Sequence, residues 1–176
     1  MSDQTTVEHR ASRIKLLLMD CDGVLTDGRI WIVDGDDQKT FNTRDGLGLE
    51  LLHRAGISSG IISGRESSAV QQRAEALGVL FIYQAVENKV AAFEQILAKA
   101  AMKPSEVAYI GDDLNDIPLL RRSELAVAVA DATEETKRHA HYVTRAAGGD
   151  GAVRETIELI LKEQNRWDDL VKRYLD

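Results

Sequence analysis

The stretch LLLMDCDGVLTDG, residues 16–28, decides how the rest of the chain is read. An apolar run that begins at Ile14 stops at Met19 and gives way at once to acids and a glycine. A short unbroken apolar run ending in a turn signal predicts a strand covered on both faces, as in a parallel sheet. If strand geometry persists past Met19, Asp20 and Asp22 project to one side and Cys21 to the other. Two carboxylates on one side of a strand end repel each other unless a cation lies between them. An acidic turn around Gly23 is the plainer alternative, because Asp and Gly both favour turns. Cys21, the single cysteine, is a poor nucleophile here. A reactive thiolate needs neighbouring cations or a helix N-terminus, and carboxylates on both sides raise a thiol pKa. It reads as a small packed residue.

Outward from this stretch the chain alternates short apolar strands with helices. RIWIVDGDDQKTFN (29–42) has β-rich flanks around an Asp-Gly-Asp-Asp turn and predicts a hairpin. Strands are expected at 57–63, 79–83, 107–111, 125–130 and 141–144. Helices are expected between them, at 46–56, 66–78, 88–101, 114–121 and 134–140, with a last one from Ala152 to Gln164. Such alternation implies an α/β fold, a parallel sheet flanked by helices on both faces. In sheets of this kind ligands bind beyond the carboxyl ends of the strands. The chemistry is therefore expected just after strands.

Four strand ends carry polar groups: MDCDG, SGR, the segment before Lys89, and GDDLND. Asp112, Asp113 and Asp116 are three acids in five residues, more than N-capping of one helix requires. Oxygen ligands at this spacing suit Mg²⁺. Ser63 and the free N–H groups of Gly64 and Arg65 can form an anion site, although Ser63 could instead cap the helix near Glu66. A lysine at a helix start, such as Lys89, runs against the helix dipole, although a lone lysine is most often solvated. Taken in order, acids, hydroxyl, lysine and acids make up a phosphoryl-transfer site. One carboxylate attacks phosphorus, another shuttles the proton, and Mg²⁺ with Ser and Lys neutralises the phosphate oxygens.

DCDGVLTD, SGR, Lys89 and GDDLND resemble, in order, the four motifs of the haloacid dehalogenase (HAD) superfamily of phosphatases, from about Ile14 to Glu163. The resemblance implies a Rossmann-like HAD fold, with Asp20 as the residue that becomes the aspartyl-phosphate. It implies Asp22 as general acid/base, with its backbone carbonyl a metal ligand. It also implies Ser63, Gly64 and Lys89 as phosphate-binding groups, and Asp20, Asp22 and Asp112 around Mg²⁺ with Asp113 as a further acidic partner. Asp116 is expected to order the loop and not to bind metal. DGVLTDG, FNTRDGLGL, IISGR, AYIGDDLND, AVADA and YVTRAAGGDGAVRE resemble more closely the branch acting on phosphorylated sugar acids. Its members include the phosphatases of 3-deoxy-D-manno-octulosonate (KDO) 8-phosphate, used in lipopolysaccharide biosynthesis, and those of nine-carbon sialic-type acids. Arg65 and Arg44 are candidates for the substrate carboxylate, which guanidinium groups bind bidentately; Arg145 and Arg154 are weaker ones. A catalytically idle HAD-fold module is the rival from another class.

The expected organisation is a flexible lead-in over 1–13, one domain over 14–163 and a tail over 164–176 that matches no motif. About twenty residues separate the first motif from TRDG, enough for a small β-hairpin in place of a cap domain. An open site gains from being covered, since desolvation strengthens its electrostatics. The resemblance implies a homotetramer, with the hairpin residues Ile30, Trp31, Ile32 and Val33 at the interface and the RAAGGDG segment of a neighbour near the pocket. A net charge of -7 argues against nucleic-acid or anionic-membrane partners. No apolar run approaches the roughly 20 residues that span a bilayer, and no signal peptide is apparent. With a single cysteine, the expected compartment is the cytoplasm.

Overall fold

The computed structural model describes residues 6–34 and 36–175. Residues 1–5 of the lead-in, Gly35 of the hairpin turn and Asp176 of the tail lie outside them. The main sheet contains six parallel strands: β1 (Leu16–Met19), β4 (Ser58–Ile62), β5 (Phe81–Tyr83), β6 (Val107–Gly111), β7 (Leu125–Ala128) and β8 (Tyr142–Val143). Their spatial order is β5-β4-β1-β6-β7-β8. From β1 the chain moves outward through β4 and β5, then returns to place β6 on the other side of β1. That reversal is a topological switch point, and a cleft opens there at the carboxyl ends of the strands.

Each central strand is buried on both faces, as its sequence requires. Leu17, Met19 and Cys21 belong to one core layer and Leu16 and Leu18 to the other. The first layer is completed by α2 (Thr43–Arg54), α3 (Ser68–Ala76) and α7 (Ala152–Glu163). In α7, Val153, Ile157, Ile160 and Leu161 recur at helical spacing and are all buried. The second layer is closed by α4 (Lys89–Ala100) and α5 (Ile117–Leu120), with Phe93 and Ile96 turned inward. The expected hairpin is a separate two-stranded sheet, β2 (Trp31–Val33) and β3 (Asp36–Gln38). It is tied to the main domain by Lys39, which reaches Asp22, and by Asp37, which accepts from Ser67.

The structure corrects the lead-in. Val7–Ala11 form helix α1, which packs against α7. Thr6 caps it by accepting from His9 N at 3.3 Å, and Ala11 is fully buried. Gln164 donates to the carbonyls of Ala11 and Ile14 at 3.2 and 2.8 Å, tying the end of the last long helix to this one. The tail continues as α6 (Glu134–Arg138) and α7 do, in helical form: α8 (Trp167–Val171) is held by the Arg154 and Lys162 cations over the Trp167 ring, 5.1 and 5.2 Å from its centre. Among the described residues no helix is long and apolar enough to cross a membrane.

Candidate active site

A cleft of about 250 Å³ at the switch point is lined by Asp20, Asp22, Ser63, Gly64, Arg65 and Asp112, with Gly28, Asp113 and Asn115 at its edges. Asp20 continues β1: its N–H donates to Ile110 O at 3.0 Å, so the ladder to β6 fixes its position. The carboxylate accepts from Cys21 N at 2.7 Å and meets Lys89 Nζ at 2.9 Å. After Asp20 the chain turns sharply, and Cys21 O accepts from the N–H groups of Val24, Leu25 and Thr26. Gly23 makes the turn possible. Its φ is +85°, and a Cβ there would lie 2.1 Å from Asp112 Oδ2. Cys21 is fully buried on the opposite side, where burial and then the Asp22 charge push its thiol far above the ordinary range. It is a packing residue.

Lys89 opens α4, with Asn88 as the N-cap. Its Nζ lies between Asp20 and Asp116, 2.7 Å from Asp116 Oδ1. Burial alone would lower this ammonium, but the two carboxylates outweigh it and hold it charged above its usual value. Asp116 is fully buried and fully engaged. Oδ1 accepts from Lys89 and from Tyr109 Oη at 2.7 Å, and Oδ2 accepts from the N–H groups of Asp112 and Asp113 at 3.0 and 3.4 Å. Oxygens of Asp20, Asp112 and Asp116 lie within 4.8 Å of one another, a spacing that could hold a metal. With four donors already on Asp116, it acts as the brace of the loop, and Asp20 and Asp112 remain for the ion.

Asp112 is the most telling member. Its Oδ1 is buried and has no hydrogen-bond partner among the described residues. Burial first, then the charges of Asp116 and Asp20, raise its carboxyl to about 8. Asp20 is raised to about 6, by burial and Asp116, with Lys89 opposing. An orphaned oxygen among mutually repelling acids is the arrangement a hard divalent cation relieves. The donor set therefore fits Mg²⁺.

Ser63 follows β4 and is 3% exposed, with Oγ accepting from Arg65 N at 3.3 Å. It does not cap a helix. Helix α3 starts at Ser68 and is capped by Ser67, which leaves Ser63 to the cleft. Asp22 is half-buried. Its Oδ1 accepts from Lys39 Nζ, and Oδ2 stands 3.9 Å from Arg65 Nε. Arg65 itself is exposed at the cleft edge. Arg44 is exposed on α2 and does not line the cleft. Arg145 is paired with Glu155 and Arg154 with Glu158. Asp27 accepts from Arg29 N at 3.0 Å and shapes the entry to the hairpin.

Lys39, Tyr109 and Asp45 were not singled out by the sequence. Tyr109 had a signal: a phenol in the middle of an otherwise apolar buried strand must find a partner. Asp45 accepts from Arg154 N at 2.8 Å and caps the start of α7 from a different helix, a contact without local signature. Lys39, in a hairpin, has the sequence context of a solvated lysine.

Residues 76–155 match the model of the haloacid dehalogenase-like hydrolases. The chain is 44% identical to the 3-deoxy-D-manno-octulosonate 8-phosphate phosphatase of Salmonella typhi, over 94% of this chain and 88% of that one. The crystal structure of a probable YrbI-family phosphatase from Pseudomonas syringae superposes with a TM-score of 0.95 at 43% identity, covering 97% of each chain. That of the 3-deoxy-D-manno-octulosonate 8-phosphate phosphatase from Moraxella catarrhalis, in complex with magnesium, phosphate and KDO, gives a TM-score of 0.93 at 40% identity, over 96% of this chain and 97% of that one.

Proposed function

The chain belongs to the haloacid dehalogenase-like hydrolases, among the 3-deoxy-D-manno-octulosonate 8-phosphate phosphatases, and on that premise we propose that it hydrolyses this phosphate monoester to KDO and inorganic phosphate through an aspartyl-phosphate on Asp20. The observation that carries the reading is the orphaned Asp112 oxygen beside Asp20 and Lys89, in a cleft that also presents Ser63 and Asp22. An idle module would have no reason to keep mutually repelling acids buried there.

An Asp20 oxygen attacks phosphorus as the bond from phosphorus to the sugar oxygen breaks, and the departing oxygen takes a proton from Asp22. A water then attacks phosphorus, gives its proton to Asp22, and the bond to Asp20 breaks, restoring its carboxylate. Lys89 and the Ser63 hydroxyl, with the N–H groups at Gly64, hold the phosphate oxygens. Mg²⁺, held by Asp20, Asp112 and the Asp22 carbonyl with Asp113 alongside, supplies charge neutralisation at the phosphoryl group. Arg65 lines the cleft and is the arginine for the sugar carboxylate; Arg44 enters this reading only if a neighbouring subunit presents it.

The protein acts in lipopolysaccharide precursor biosynthesis, in the cytoplasm, as a homotetramer. Trp31, Ile32 and Val33 support the assembly, being 63%, 73% and 53% exposed, uncovered by any other element among the described residues. Replacing Trp31 with Asp is expected to give a smaller species in sedimentation, and an unchanged profile would count against this interface. The substrate is tested by phosphate release from eight- and nine-carbon sugar acid phosphates, with Mg²⁺ or EDTA. Preference for a nine-carbon 9-phosphate would move the assignment to the sialic-type branch, and equal turnover of unrelated esters would sink both.

A further inference from the structure

We propose that Lys39 is a positioning residue that holds the proton-shuttling carboxylate of Asp22 from the hairpin, so that transfer to the leaving group depends on how the hairpin is seated. The inference rests on the assignment of Asp22 as general acid/base. The Lys39 side chain is 0% exposed although it follows directly on the hairpin strand β3. Its Nζ donates to Asp22 Oδ1 and lies 3.4 Å from Asp37 Oδ2. Asp37 Oδ2 is buried with no hydrogen-bond partner among the described residues, so the nearby ammonium is its compensation. Its other oxygen accepts from Ser67 Oγ at 2.9 Å, and Ser67 is the N-cap of α3. A polar strut thus runs from the start of α3 through Asp37 and Lys39 to Asp22.

Burying an ammonium is costly unless it is well paired, and a lysine on an isolated hairpin has water close by as an alternative. A two-stranded hairpin is marginal alone, so it needs such an anchor to hold one position. The consequence at Asp22 is geometric. Oδ1 is taken by Lys39, while Oδ2, with only Arg65 at 3.9 Å, is the oxygen left to exchange a proton over the cleft. A carboxylate free to rotate would present that oxygen to the departing alcohol only part of the time.

The test compares KDO 8-phosphate with p-nitrophenyl phosphate by kcat/KM, which reports the steps through departure of the leaving group. The alcohol needs a proton to leave; p-nitrophenolate departs as a stable anion. For Lys39→Met we expect kcat/KM on the sugar phosphate to fall about 10–100-fold and on the aryl ester less than about 3-fold, with Lys39→Arg recovering part of the loss. Equal losses on both esters, or none, would overturn the proposal. Asp22→Asn separates the two readings: if it costs both esters equally, the assignment of Asp22 fails, whereas a selective loss in Asp22→Asn without one in Lys39→Met overturns Lys39 alone. If Lys39→Met does not fold by circular dichroism, Ser67→Ala releases Asp37 without touching Asp22. It should then show a smaller but still selective loss, and a non-selective effect would overturn the strut.

Discussion

Two lysines with buried side chains each pair with an acid of the cleft, and they are built differently. Lys89 rises from the first turn of α4 and meets Asp20 and Asp116, whose positions are set by β1 and by the loop after β6. Asp20 extends the ladder of the central sheet through Ile110 O, and Asp116 has four donors on its two oxygens. Lys39 comes from the hairpin, meets Asp22 and Asp37, and reaches the rest of the fold through Ser67. On the proposed roles, the nucleophile Asp20 is framed by the central sheet and the start of α4, and the proton carrier Asp22 by a hairpin whose Trp31, Ile32 and Val33 are exposed. Bond making at phosphorus requires fixed geometry at Asp20, and on the proposal above proton transfer requires it at Asp22 as well.

The strongest way to break this comparison is through the acids themselves. Asp20→Asn should abolish turnover of both alkyl and aryl phosphates, by roughly 10⁴-fold or more, measured as phosphate release with saturating Mg²⁺. Residual full activity would remove Asp20 from the mechanism. Next come the lysines. Lys89→Met leaves Asp20 and Asp116, with side chains 9% and 0% exposed, without their counter-charge, and should cost about 3–5 kcal/mol in urea unfolding with EDTA. Lys39→Met leaves the Asp22 and Asp37 side chains, 20% and 16% exposed and within reach of water, without their counter-charge, and should cost about 1–2 kcal/mol. Equal costs would show that the two clusters are equally built into the fold.

What the sequence revealed follows the same division. Asp20 and Asp112 stood out in the sequence because each follows directly on an apolar strand, and Lys89 because it opens a helix. The parallel sheet was legible from the alternation of its elements, but the order β5-β4-β1-β6-β7-β8 was not, since no residue encodes which strand its neighbour will be. Whether Ser63 caps a helix or faces the cleft could not be resolved locally. The helix expected near Glu66 begins at Ser68, and the structure gives its cap to Ser67. Lys39 was invisible for a different reason. Its partner is 17 residues away in the chain, and only the folding back of the hairpin brings them together.

A subtler contrast is linked to pH. Asp112 and Asp20 are raised to about 8 and about 6 from an ordinary 3.8, chiefly by burial. A carboxyl raised in the folded state stabilises the fold fully below its unfolded pKa, and that stability is lost as pH rises through the folded value. The metal-free protein should therefore lose thermal stability between about pH 4 and pH 8. Mg²⁺ binds the ionised acids, so at 100 times its Kd it should raise Tm by about 5–10 °C at pH 8 and by much less at pH 5. Lys39→Met should lower both curves without altering the difference between them. If the Mg²⁺ increment were independent of pH, Asp20 and Asp112 would not be its ligands.

The smallest expected effect probes how rigid the Lys89 side needs to be. Tyr109→Phe removes one of four donors to Asp116, the 2.7 Å bond to Oδ1, while filling the same buried space. Burial and the neighbouring Asp116 charge raise the phenol well above its usual value, so it stays a donor throughout the working range. Lys89 and the N–H groups of Asp112 and Asp113 remain on Asp116, so stability should fall by only about 1 kcal/mol and kcat by a few-fold. Because Asp116 does not touch the substrate in this mechanism, the loss should appear in kcat with little change in KM. A loss as large as that of Lys89→Met would mean that the brace works as one cooperative network, in which no single donor is redundant.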